Sequence, residues 1–270
     1  MTKAAVLGSP IEHSLSPIIH QAAYKILGWD WKYERHLVRA GELSEFITSH
    51  AGEFRGLSLT MPLKEEAIPL LDVVTDSALG VNAVNTVIFD ELGSRGFNTD
   101  IQGFRDALSY RKIDIPESVA ILGGGATARS AIAAMDGQAR EIYVYSRSAH
   151  RSKALVNSAA ASSVHVCPWD DATNSFEREL VISTTPKGAT DRLDPHLQSG
   201  VFFESLYDPW PTPLLAKWRA LNGSTLDGLD LLVWQAIGQL ELMALDGDEV
   251  SANRSELFEE MRKSALAHLL

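Results

Sequence analysis

The sequence has a single cysteine, Cys167, so no disulfide can close within the chain. Neither CxxC nor HExxH occurs and the eight histidines are scattered, which leaves a metal site without sequence support. No apolar run approaches the length of a membrane span. The opening residues read as strand rather than as a signal peptide, so a cytoplasmic protein is expected. Positive charge is also short: 24 Lys and Arg stand against 35 Asp and Glu, a formal charge of −11. That balance argues against nonspecific binding to nucleic acid or to an anionic membrane, and any anionic ligand must be held by local donors. What is present suffices for a core. The 270 residues, 45% hydrophobic and 22% charged, accommodate two domains of ordinary size. Cys167 ends the strand-like run Val164 to Cys167 and is expected as a buried thiol rather than a reactive one.

The chain is organised around VAILGGGATARSA, Val119 to Ala131. An aliphatic run breaks at Gly123, passes through Gly124 and Gly125, and continues from Ala126 as alanine-rich sequence, so it reads as strand, tight turn, helix. Gly123 lets the chain turn sharply, Gly125 lets backbone approach a pyrophosphate, and Ala128 is small enough for close packing of helix on strand. The helix starting near Ala126 aims its unpaired N–H groups at that phosphate. A second strand-like run, Glu141 to Tyr145, arrives where the next strand of a βαβ unit belongs. Dinucleotide binding is therefore expected ahead of an ordinary turn.

Residues 1–103 alternate strand-like and helix-like segments: strands at Lys3 to Leu7, Tyr33 to Val38, Leu57 to Thr60, Ala83 to Phe89 and Gly96 to Asn98, and helices at Leu15 to Leu27, Gly41 to Ala51 and Pro62 to Leu71. A connecting helix near Phe104 leads to the glycine-loop strand. Further strands are expected at Val164 to Cys167, Leu180 to Ser183 and Val201 to Glu204, the rhythm of a doubly wound sheet. After Gly228, helices near Leu231 to Leu245 and Ala252 to Leu269 follow without a strand between them. The expected fold class is α/β. Residues 1–103 form one domain completed by the C-terminal helices 236–270, and 104–235 form a Rossmann-like doubly wound domain.

Polar residues gather at the predicted strand ends of the first domain, which in open α/β sheets face the ligand crevice. Ser14 and Ser16 follow the first strand, Thr60 and Lys64 the third, Asn85 and Thr86 lie near Val84, and Asn98, Thr99 and Asp100 end another. Each taken alone has a plainer reading: the two serines and Asp100 can cap helices, and Lys64 can be a solvated charge. Together at successive strand ends they favour a site for a small polyhydroxylated ligand.

At these residues the sequence resembles the shikimate dehydrogenase family over nearly its whole length. The segments carrying the resemblance are Gly8 to His20 (GSPIEHSLSPIIH), Leu59 to Lys64 (LTMPLK), Val84 to Thr86 (VNT), Gly96 to Asp100 (GFNTD), Tyr207 to Pro209 (YDP) and Leu232 to Gln235 (LVWQ). The resemblance implies reduction of 3-dehydroshikimate to shikimate with a nicotinamide cofactor, a step toward chorismate and the aromatic amino acids. It implies Lys64 and Asp100 as the catalytic pair. It also implies that Ser14, Ser16, Thr60, Asn85, Asp100, Tyr207 and Gln235 hold the substrate's carboxylate and hydroxyls. Independently, hydride transfer to a ketone develops negative charge on oxygen, which calls for a proton donor in reach, and Lys64 supplies that chemistry. Departures from the family pattern are local: Ser58 and Ser146 replace Asn, Gln21 follows His20 where Asn is common, and Glu204 replaces Asp.

Cofactor choice is read at the end of the second strand of the glycine-loop domain. An NAD site usually offers a carboxylate there, whereas a 2′-phosphate needs a cation. The strand ends in Ser146, Arg147 and Ser148, with Arg151 close behind, so NADP is favoured over a merely solvated arginine pair. Thr184, Thr185 and Pro186, at a later strand end, are expected on the nicotinamide side, and Gly228 in the same cofactor site. His13 and His20 do not have metal-pair spacing, and Trp210 and Trp234 read either as cleft or as packing aromatics. Expected partners are thus the small-molecule substrate and NADP, with no nucleic acid and no membrane. A homodimer stays open. Two alternatives also stay open: a quinate/shikimate dehydrogenase paralogue with altered substrate or cofactor preference, and a shikimate-binding paralogue without turnover.

Overall fold

Five consecutive buried residues, Ala4 to Gly8, make the first strand a central one, since a strand with one solvated face would alternate. In the computed structural model, which describes residues 1–196, 200–245 and 247–270, this strand lies in the first of two units. That unit comprises Met1–Thr99 and Val233–Leu270, and the second comprises Asp100–Leu232. The second boundary falls inside one helix, so Gln235 belongs to the first unit and not to the 104–235 segment expected for it. Residues 197–199 of that segment, and Asp246 of the expected 236–270, lie outside the described residues.

The first unit contains β1 (Thr2–Gly8), α1 (Ser16–Leu27), β2 (Trp31–Leu37), α2 (Leu43–Ser49), β3 (Gly56–Leu59), α3 (Leu63–Glu66), β4 (Val73–Val74), α4 (Asp76–Gly80), β5 (Thr86–Asp90) and β6 (Gly93–Phe97). Its sheet has the order β2-β1-β3-β5-β6-β4; β1, β2 and β3 run parallel, while β5 is antiparallel to both β3 and β6. One core gathers Ala5, Leu7, Leu43, Phe54, Leu57, Leu59, Leu63 and Val87, all buried. Each fully buried aliphatic or Phe side chain contributes about 1.5–3 kcal/mol.

Three expectations change here. The helix expected over Pro62 to Leu71 is broken into α3 and a 3-10 turn, Ile68–Leu70, because Pro69 has no N–H to continue the ladder. Residues 83–85 are not strand: the Val84 N–H is drawn off to the Lys64 carbonyl at 2.8 Å, and pairing starts at Thr86. The short β4 and α4 went unread, having too few residues to show a period.

The second unit contains α5 (Asp100–Tyr110), β7 (Ser118–Leu122), α6 (Ala126–Met135), β8 (Glu141–Ser146), α7 (Ser152–Val156), β9 (Ser163–Pro168), β10 (Leu180–Ser183), β11 (Val201–Glu204), α8 (Pro213–Ala220) and β12 (Ser224–Leu226). Its sheet is all parallel, in the order β12-β11-β10-β7-β8-β9, the doubly wound arrangement with its switch point between β7 and β10. Val119 to Leu122 and Leu180 to Ile182 are fully buried, as strands covered on both faces must be. Cys167 corrects its expectation: β9 is an edge strand, so the thiol is only partly buried, and that burial still pushes its pKa up. Helix α9 (Gly228–Met243) crosses from the second unit into the first, followed there by α10 (Gly247–Ala252) and α11 (Arg254–Leu269). Helix α11 packs on α1 and buries Leu257, Met261 and Ala265, spaced at four, while Trp234 stacks on Phe258 at 4.8 Å as a packing aromatic. Among the described residues no helix is long and apolar enough to cross a membrane.

Candidate active site

In the first unit the strand directions bring one edge of the sheet together. Parallel β1 and β3 end on the same side, and antiparallel β5 starts where β3 ends, Ser58 lying opposite Thr86 and Thr86 opposite Phe97 of β6. The chain therefore delivers the Gly8 to Ser16 loop, Thr60 to Lys64, Asn85, and Asn98 to Thr99 to a single edge. Backbone bonds fix this junction: Thr60 N–H to Leu7 O at 2.9 Å, Ser9 N–H to Met61 O at 2.9 Å, and Leu59 N–H to Asn85 O at 2.8 Å. Gly8 is obligatory there, because a Cβ would sit 2.3 Å from Thr60 Cγ2 and 2.9 Å from Met61 O.

The side chains at this edge form a buried polar surface. Asn85 Oδ1 accepts from Thr99 N–H at 2.8 Å and Thr86 Oγ1 at 2.9 Å, while Asn85 Nδ2 donates to Thr99 Oγ1 at 3.0 Å. Thr99 Oγ1 in turn lies 3.5 Å from Gln235 Oε1. Ser14 and Ser16 are 8% and 7% exposed. Neither serves as a side-chain N-cap: Leu15 occupies that position, and Ser14 Oγ accepts the Ser16 N–H at 3.3 Å. Lys64 is half-buried on α3 and Thr60 lies one turn before it. Arg35, on β2, holds the serine loop by donating to the carbonyls of Glu12 and of Ser14, the latter at 3.1 Å. Periodicity gave no warning of Arg35, one alternating strand residue among others. Thr99, already read with Asn98 and Asp100 as one of the polar strand-end residues, is placed in the Asn85 network.

His20 is fully buried, its Nδ1 bonded to Ser16 O at 2.8 Å and its ring stacked on Tyr33 at 3.9 Å. Burial lowers its pKa to about 4, so the ring is neutral.

In the second unit the glycine loop follows β7 at the switch point. Gly123 has φ 121°, and a Cβ on it would lie 2.4 Å from Thr184 Oγ1. Thr184 closes the adjacent strand end by donating twice to Leu122 O, from its N–H at 2.8 Å and its hydroxyl at 2.9 Å. A Cβ on Gly124 would lie 2.3 Å from Ser146 Oγ. Gly125 is the N-cap of α6 without a side-chain cap, so the first-turn N–H groups from Ala126 onward face outward from the helix end. Ser146 Oγ accepts the Ser148 N–H at 3.2 Å, Arg147 is exposed, and Arg151 Nη1 reaches Gly124 O at 3.4 Å. Thr185 is buried and Pro186 exposed on the loop after β10. Gly228 also requires glycine, since a Cβ would fall 2.5 Å from the Leu206 carbonyl and 2.8 Å from Tyr207 N. Glu204, at the end of β11, is 1% exposed and accepts from Leu206 N–H at 3.2 Å and Thr212 Oγ1 at 3.0 Å; burial raises its pKa to about 7. Asp100 opens α5, is 5% exposed, and belongs with Tyr207 to this unit.

The glycine cradle, the uncapped helix start and the two arginines fit a dinucleotide carrying a 2′-phosphate. Among the described residues no group of three or more His, Cys, Asp or Glu is placed to hold a metal ion.

Comparison with known proteins bears on both units. The family described as the shikimate dehydrogenase substrate binding domain matches residues 6–87. Shikimate dehydrogenase (NADP(+)) of Desulfitobacterium hafniense is 30% identical over 266 residues, covering 95% of this chain and 97% of its own. The Thermus thermophilus shikimate 5-dehydrogenase structure in complex with shikimate superposes with a TM-score of 0.86 at 29% identity, over 100% of this chain and 99% of its own. Quinate dehydrogenase from Corynebacterium glutamicum in complex with NAD gives 0.80 at 25% identity, over 98% and 99%.

Proposed function

The chain belongs to the shikimate dehydrogenase family, and from that premise we propose that it catalyses the reversible, NADP-dependent reduction of 3-dehydroshikimate to shikimate, a step of aromatic biosynthesis. The observation that carries the reading is the single sheet edge at which Ser14, Ser16, Thr60, Lys64, Asn85 and Gln235 meet, in the motifs that mark the family. Such a surface of hydroxyls, amides and one amine suits a ligand with a carboxylate and several hydroxyls.

When bound, NADPH supplies the hydride. Gly123, Gly124, Gly125 and Ala126 would hold its pyrophosphate, Ser146, Arg147, Ser148 and Arg151 its 2′-phosphate, and Thr184, Thr185, Pro186 and Gly228 the nicotinamide end. Lys64 gives a proton to the ketone oxygen as negative charge builds there, and in the reverse direction its neutral amine takes that proton back. Asp100 is the carboxylate of the catalytic pair and accepts a substrate hydroxyl. Ser14, Ser16, Thr60, Asn85, Tyr207 and Gln235 orient the ring, which turns a bimolecular encounter into a positioned one.

The likeness to a quinate dehydrogenase makes substrate choice the discriminating measurement. In a spectrophotometric assay at fixed enzyme, shikimate with NADP is expected to give the highest kcat/KM of the four pairings of shikimate or quinate with NADP or NAD. A higher value for quinate or for NAD overturns that part of the proposal. Binding of shikimate without turnover of any pairing overturns the enzymatic reading as a whole.

A further inference from the structure

Next to Gln235 the first unit holds a line of buried side chains from three elements. Tyr33 of β2, Ser58 of β3 and Gln239 of α9 are 2%, 4% and 2% exposed, and Gln235 is 8% exposed. Tyr33 donates its hydroxyl to Ser58 Oγ at 2.6 Å, Ser58 donates to Gln239 Oε1 at 2.8 Å, and Gln239 Nε2 donates to Gln235 Oε1 at 2.8 Å. Gln235 and Gln239 are four apart on one helix, hence on one face of it.

The line has a direction. A serine hydroxyl has one proton, so Ser58, having accepted from Tyr33, spends its own on Gln239. The two ends of a carboxamide are close in size and opposite in hydrogen-bonding sense. Ser58 thus favours the oxygen end of Gln239 facing it, beside the His20 ring that also interacts with Gln239. Gln239, together with the Thr99 hydroxyl donating to Gln235 Oε1 at 3.5 Å, favours the oxygen end of Gln235 facing them. Tyr33 is held in turn by stacking on His20, whose Nδ1 bonds Ser16 O in the first turn of α1. Ser58 is also the place where the sequence departs from the family's usual asparagine.

We propose that Ser58 is a positioning residue for the substrate: acting through Gln239, it fixes the Gln235 carboxamide with its oxygen held by protein, so that Gln235 meets shikimate as an N–H donor. The proposal rests on the reading of Gln235 as a substrate ligand. Removing the Ser58 hydroxyl weakens the hold on the Gln239 oxygen, and the Gln235 carboxamide is then fixed less firmly in this sense. The loss falls on binding, because a ring hydroxyl or carboxylate held by Gln235 is held alike before and during hydride transfer, which shows in KM rather than kcat.

The test is a double-mutant cycle on the full chain, with shikimate Kd measured by titration calorimetry and kcat and KM measured alongside. Ser58→Ala is expected to raise shikimate Kd and KM roughly two- to tenfold, the range of one well-placed neutral hydrogen bond, with kcat and the KM for NADP within about twofold. Gln235→Ala should weaken binding at least as much, and the double variant no further than Gln235→Ala alone. An unchanged Kd for Ser58→Ala, or the same Ser58→Ala penalty in the Gln235→Ala background, overturns the positioning role while leaving Gln235 a ligand. Native affinity in Gln235→Ala removes the ligand reading itself, and the proposal with it. Should Ser58→Ala fail to fold by circular dichroism, Gln239→Met takes its place in the same cycle, keeping side-chain length and deleting both amide bonds, with the same outcomes deciding.

Discussion

Replacing Glu204 by glutamine should alter how stability depends on pH. Glu204 is 1% exposed, and its burial is the principal reason its carboxyl keeps a proton up to about 7 instead of 4.5; the Leu206 N–H and Thr212 hydroxyl, which favour the anion, offset only part of that cost. Between those two values the folded chain binds more protons at this group than the unfolded chain does. Stability from this group is therefore fully present below pH 4.5 and is lost as pH rises through 7. The gap corresponds to about 3 kcal/mol, at about 1.36 kcal/mol per tenfold change. Glutamine keeps the shape and an acceptor oxygen for both donors but does not titrate. Urea denaturation followed by tryptophan fluorescence, run on both proteins from pH 4.5 to 8, should show the glutamine variant gaining on the parent by about 3 kcal/mol across that range. His20, lowered to about 4, titrates in both proteins and cancels in the difference. A stability difference that stays flat from pH 4.5 to 8 refutes the reasoning, because then Glu204 is ionised in the folded chain at no cost.

Lys64→Ala should lower kcat by about 10²–10⁴-fold while shikimate Kd, measured directly, stays within about tenfold; near-native kcat with badly weakened binding would make Lys64 an anchor instead of the proton donor. Arg147→Ala should weaken NADP by roughly ten- to a hundredfold, the worth of a charge-assisted hydrogen bond, and leave NAD nearly unaffected; equal losses for both would refute the 2′-phosphate assignment. Gly228→Ala must push its Cβ into the Leu206 carbonyl, so thermal denaturation should report a loss of about 1–3 kcal/mol, and an unchanged melting curve would contradict the close approach.

What could be read before folding follows from how local each signal is. Buried parallel strands announce themselves as short apolar runs, and β10 and β11 begin and end where those runs do. The glycine loop was legible because strand, turn and helix follow in one continuous segment. Pro62 to Leu71 misled, since helical spacing persists through Pro69 although its missing N–H breaks the ladder. Two-residue β4 and three-residue β12 are held by their neighbours' backbone and leave no pattern of their own. At the proposed site, the hydroxyl and amide residues stood in recognisable motifs. The partners that set their geometry did not: Ser58 and Gln239 are 181 positions apart, Arg35 and Ser14 21 apart, and only the tertiary packing of helix and loop on the sheet brings them together.

That the first unit is assembled from residues 1–99 and 233–270 has a consequence for biosynthesis. The ribosome makes α1 and the sheet edge first, then the whole second unit, and only afterwards Gln235, Gln239 and the helix that packs on α1. At about 5–20 residues per second, the stretch between α1 and α11 keeps α1 waiting roughly ten to fifty seconds for α11. The nucleotide-type unit therefore has all its strands made before the first unit has its last helix. A nascent chain stalled within the second unit would present the bare α1 face to chaperones, and would lack the Gln239 and Gln235 carboxamides that Ser58 and Thr99 of the first unit bond from the far end of the chain.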